Sequence, residues 1–142
     1  ETHNANHLEP YKQSLQWSRR FMGLKLFLTL ACHGEEGYVE AIGHQVKMGR
    51  YFKEMLEKND WQVENDTPFP VACFSDKISG VDPQKILDEV HKTGKTWLTN
   101  TVLKHRQIPV LRVGISNFRT SENELDNLVE WLNQARDAIA KN

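Results

Sequence analysis

Hydrophobic positions along this chain change spacing in a regular order. From Phe21 to Cys32 only Lys25 and Thr29 interrupt an apolar run, and Ser18 stands where a capping hydroxyl would accept a first-turn amide. A helix is therefore predicted to begin at Arg19. Being apolar on nearly every side, it is expected to be buried on nearly every side. Gly34 and Gly37 break the chain there. A second helix is expected from Tyr38 to Lys58, with Tyr38, Ile42, Gln45, Gly49, Phe52 and Leu56 on one buried stripe, joined by Ala41, Met48 and Met55. Gly43 and Gly49 each cost roughly 1 kcal/mol against alanine inside a helix, which points to close packing by another element or to tolerated slack. His44 and Lys47 fall off the stripe and are expected in solvent. Asn59-Asp60 is the stop signal.

The spacing then turns to alternation. Trp61–Glu64 and Val71–Phe74 read as strands, separated by Pro68 and Pro70. Asp82 and Pro83 open a helix as N-cap and first helical residue, with Val81 and Ile86 spaced as a hydrophobic staple and Gly94 as its end. Trp97–Leu103 and Pro109–Ser116 read as two more strands joined by a turn at Lys104–Gln107. Ser121 and Glu124 form a capping box for a last helix, with Leu125, Leu128, Val129, Leu132, Ala135 and Ile139 as its core stripe. The order is two helices, two strands, a helix, two strands and a helix. It predicts an α/β fold in which an antiparallel sheet of about four strands is packed by helices.

The remaining features narrow the function by exclusion. A chain of 142 residues is the size of one domain, and its formal net charge of −1 gives no electrostatic case for nucleic acid or membrane. The apolar run at Phe21–Cys32 is too short and too closely flanked by charge to span a bilayer. Cys32 and Cys73 are expected to be free core thiols in a cytoplasmic protein. His3 and His7 would have metal-ligand spacing on a helix, but the polar residues 1–14 read as an irregular lead-in, and no metal site is expected. Arg19 and Arg20 sit at a helix start, where the macrodipole is positive. They therefore answer either a structural carboxylate or an anion supplied from elsewhere.

The composite S-R-R-F-x-x-L-K-L-F-x-x-L-x-x-x-G-x-x-G, Ser18 through Gly37, resembles the segment that opens the C-terminal small domain of the pyridoxal-phosphate-dependent group II amino-acid decarboxylases. These include the glutamate, aromatic amino-acid, histidine and diaminobutyrate decarboxylases. The late stretch V-L-R-V-G-I-S-N-F-R-T-S is a second match, and the resemblance runs from Leu15 to Ala140. It implies that residues 15–142 form a small domain like that of fold-type I pyridoxal enzymes. The large domain that binds pyridoxal phosphate (PLP) would lie upstream in the same polypeptide, and the full-length enzyme would be a homodimer acting on an amino acid. The start at Glu1 rather than Met is read as that of a piece of a longer protein.

On the same resemblance, Arg112 corresponds to an arginine that contacts a substrate carboxylate. Its alternation places it with Val110, Gly114 and Ser116, on the less apolar face of its strand; from residues alone it is equally an exposed arginine on a sheet. Arg19 and Arg20 would support the active-site wall or the domain interface. No catalytic or cofactor-binding residue is expected in the chain. Lys92, in a His91-Lys92 pair like that of the family's Schiff-base lysine, lies after the S-R-R-F segment instead of before it, and Lys25 belongs to the structural helix. The resemblance implies a decarboxylase fragment inactive alone; the competing reading is a freestanding interaction or ligand-binding module. L-Q-W-S-R-R-F leans towards the glutamate and diaminobutyrate branch, although Trp17 departs from it.

Overall fold

The computed structural model describes residues 21–104 and 107–140. The lead-in, Ser18, Arg19 and Arg20 lie outside the described residues, as does part of the turn expected at Lys104–Gln107. The chain divides into two compact units, residues 1–38 and Val39–Asn142.

Helix α1 is Met22–Lys58, and Gly34 interrupts it with φ 65° and ψ −179°. Left-handed φ is where glycine replaces other residues at least cost. The expected break is therefore at Gly34, whereas Gly37 continues the helix. The first stretch departs from expectation in its environment. Phe21, Met22, Leu26 and Phe27 are all more than half exposed, and Cys32 is exposed as well. An all-round apolar helix needs cover on every side, and the described residues leave this stretch exposed. The stripe of the second stretch is buried only at its C-terminal end, at Met48, Gly49, Phe52 and Leu56, while Ile42 is 55% exposed.

The unit from Val39 onward holds β1 (Trp61–Val63), β2 (Val71–Asp76), α2 (Pro83–Lys92), β3 (Thr99–Leu103), β4 (Ile108–Gly114) and α3 (Glu122–Ala140). The strands form one sheet in the order β1-β2-β4-β3, every pair antiparallel. This is the α/β arrangement expected. Helix boundaries follow the caps. The Asp82 carboxylate accepts from the Gln84 amide at 3.0 Å, Gly94 takes φ 65°, and the Ser121 amide donates to Glu124 Oε2 at 2.8 Å.

One face of the sheet makes the core. Trp61, Ala72, Phe74, Leu111 and Val113 pack with Phe52 and Leu56 of α1, Ile86 and Val90 of α2, and Leu128 and Leu132 of α3. Phe74 receives Phe52 and Trp61 edge-on at 5.9 and 5.5 Å, each such pair contributing about 0.5–1.5 kcal/mol beyond area burial. The register puts Gln62, Cys73, Ser75, Thr99, Thr101 and Arg112 on the opposite face. Val71, Leu103, Ile108 and Val110 share that face, so it is mixed: Val110 and Cys73 on it are buried, whereas Gln62, Thr99 and Arg112 are exposed.

Candidate functional site

Arg112 lies on β4, one of the two inner strands, with Cys73 of β2 and Thr99 of β3 as its cross-strand neighbours. Alternation put it on the less apolar face, and its side chain is exposed there while Cys73 and Val110 beside it are buried. Among the described residues no carboxylate comes within ion-pair distance of its guanidinium. Burial pushes the Cys73 thiol up, against the opposing pull of the Arg112 and Lys53 charges. Arg112 is an exposed cation on that face, of the kind that binds a planar anion such as a carboxylate through two parallel hydrogen bonds.

The end of β4 is held unevenly. Its last pair with β3 is Thr99–Arg112, whereas β2 follows it to Gly114 and the Pro70 carbonyl accepts the Ile115 amide at 2.8 Å. Beyond that, α1 takes over. Gln45 Nε2 donates to the Ser116 carbonyl and His44 Nε2 to the Thr120 carbonyl, both at 2.7 Å. A carbonyl only accepts, so Nε2 of His44 carries a proton. His44 is thus half-buried and bonded, not solvated as its place off the stripe suggested. Lys47 is mostly exposed, as expected, at 3.7 Å from Glu122.

Sequence reasoning missed the buried ion pair. Arg136 on α3 reaches Asp76 at 3.5 Å, donates to the Asn59 carbonyl and Asn133 Oδ1 at 3.2 Å each, and lies over the Trp61 ring at 4.9 Å. The signal was present: Leu128, Leu132 and Arg136 recur at intervals of four, which places an arginine on the core stripe. Burial alone would push the Asp76 carboxyl up. Hydrogen bonds from the Ser79 hydroxyl and from the Ile78 and Ser79 amides, with the Arg136 charge, hold it below the usual carboxylate range instead.

A cleft of about 340 Å³ opens beside the end of β4, lined by Lys95, Trp97, Ser116, Asn117, Glu124 and Trp131 among others; Arg112 is not in its wall. Of the sequence-predicted site residues, Arg112 alone falls among the described residues. Arg112 is exposed on its sheet face, and Arg19 and Arg20 lie outside the described residues. Lys92 pairs with Glu89 at 2.7 Å on the surface, Lys53 donates to the Thr67 carbonyl, and Lys25 is exposed.

No protein-family model matches the chain. It is 28% identical over 131 residues to the aromatic-L-amino-acid decarboxylase of Catharanthus roseus, covering 87% of this chain and 26% of that protein. It is 24% identical over 130 residues to the 4-hydroxyphenylacetaldehyde synthase of Rhodiola rosea, covering 86% and 26%. Its fold superposes on the crystal structure of Catharanthus roseus tryptophan decarboxylase in complex with L-tryptophan with a TM-score of 0.75 and 24% identity, over 84% of this chain and 27% of that one. These names belong to the aromatic branch, not the glutamate and diaminobutyrate branch towards which L-Q-W-S-R-R-F leaned. In sequence and in fold, the chain is a relative of the group II amino-acid decarboxylases and spans about a quarter of the length of the relatives it matches.

Proposed function

We propose that residues 15–142 are the C-terminal small domain of a PLP-dependent decarboxylase acting on aromatic amino acids, working in the cytoplasm as a homodimer. The single observation that supports this most is the agreement of one fold, over 84% of the chain, with a quarter of a tryptophan decarboxylase. In such an enzyme the cofactor would be held by the large domain, outside this chain, and would carry the electronic part of the reaction. This chain would orient the substrate: Arg112 would take the carboxylate, and Arg19 and Arg20 would support the active-site wall or domain interface. The exposure of Arg112 and the lack of an ion-pair partner for it among the described residues accord with that role. Two unbridged cysteines accord with a reducing compartment.

Because relatives of similar identity include both decarboxylases and aldehyde synthases, the outcome of the reaction would be decided outside this segment. The chain alone is expected to be folded and inactive. Incubation with PLP and a panel of aromatic amino acids tests this: no carbon dioxide release and no stoichiometric change in cofactor absorbance are expected. A stoichiometric, substrate-responsive absorbance band from the 142-residue chain would overturn it.

A further inference from the structure

We propose that His44 and Gln45 are positioning residues for Arg112, a role that rests on the carboxylate-binding reading of that arginine. Arg112 occupies the last pair that β3 makes with β4, and the Thr99 hydroxyl reaches its carbonyl at a long 3.5 Å. From Val113 onward the strand has sheet partners on one side only, and that side ends at Pro70. Helix α1 supplies what the sheet does not. Gly49 lies against Pro70 itself, and Gln45 and His44 bind the Ser116 and Thr120 carbonyls. Both bonds join residues more than seventy positions apart and come from successive residues of one helix. A carbonyl held from a packed helix resists fraying of the strand end, and a guanidinium binds a carboxylate bidentately only when its backbone is held to within a fraction of an ångström. The pair therefore acts on substrate through Arg112 without touching it.

In the full-length enzyme containing this chain, Gln45→Met removes the donor while keeping length and helix propensity. This variant and His44→Ala are each expected to raise KM for the amino acid that the wild-type enzyme turns over fastest by about fivefold, the size of one net hydrogen bond. Affinity for the corresponding amine, which lacks a carboxylate, should not change. His44→Gln, which keeps an N–H donor, should recover most of the loss. In the 142-residue chain, the same two variants should speed hydrogen exchange between Val113 and Thr120 and leave the β1–β2 amides protected. Equal weakening of acid and amine, or unaltered exchange at the strand end, would overturn the proposal. Arg112→Met separates the two readings. If it spares the preference for acid over amine, the carboxylate role of Arg112 fails and the proposal with it. If it abolishes that preference while both α1 variants retain it, the carboxylate role stands and the positioning role is overturned.

Discussion

Gly49 of α1 lies so close to Pro70 that a β-carbon on it would come within 2.8 Å of the Pro70 Cα. Gly43, six residues earlier in the same helix, has nothing within 4 Å of the corresponding point. The two glycines looked alike in the sequence, as helix-interior residues with the same intrinsic cost. Gly43→Ala should raise stability by up to about 1 kcal/mol through propensity alone. Gly49→Ala should lower it by about 1–2 kcal/mol, because overpacking against backbone outweighs the propensity gain. Urea unfolding of the two variants checks this, and a stabilised Gly49→Ala would show that the helix and Pro70 separate freely.

The Arg136–Asp76 pair should dominate the acid limb of stability. Asp76 has a lower carboxyl pKa folded than unfolded, so the unfolded chain binds more protons at low pH. Its contribution is complete above the unfolded value of about 4 and is lost as pH falls through the lower folded value. Asp76→Asn should flatten the decline in melting temperature below about pH 4. Arg136→Met, which keeps the stem but strands the carboxylate, should cost about 3 kcal/mol at neutral pH. A pH profile of Asp76→Asn that parallels the parent would remove Asp76 from this role.

The two cysteines should differ sharply in reactivity. Cys32 is exposed, whereas Cys73 is buried on β2 with its thiol pushed up by that burial. A disulfide reagent at pH 8 should label one thiol within minutes and the second only on denaturation, since the thiolate is the reacting species. Cys32→Ser should abolish the fast phase. Rapid labelling of both would show that reagent reaches Cys73 through the folded sheet.

Phe21, Met22, Leu26 and Phe27 crowd an exposed apolar surface onto one helical stretch. Such surfaces associate when nothing covers them. Sedimentation of the 142-residue chain should show concentration-dependent self-association, and Phe27→Glu should reduce it without altering the melting temperature. Monomeric behaviour at all concentrations would show that this surface needs no partner.

Element type and order came from local signals. Alternation and three-and-four spacing report which side chains leave water together, and caps such as Asp82-Pro83 and Ser121-Glu124 act within a turn of the residues that encode them. The face of β4 that carries Arg112 was legible for the same reason, since side chains alternate strictly along a strand. What only the tertiary structure decided were relations across the fold: the sheet order β1-β2-β4-β3, the contact of Gly49 with Pro70, the partners of His44 and Gln45, and the burial of Arg136. Each depends on which distant residue lies opposite, and no periodicity within one segment carries that information. The Phe21–Leu30 stretch is the converse case: its all-round apolar pattern predicts burial, the structure leaves it exposed, and pattern within one segment cannot name what would cover it.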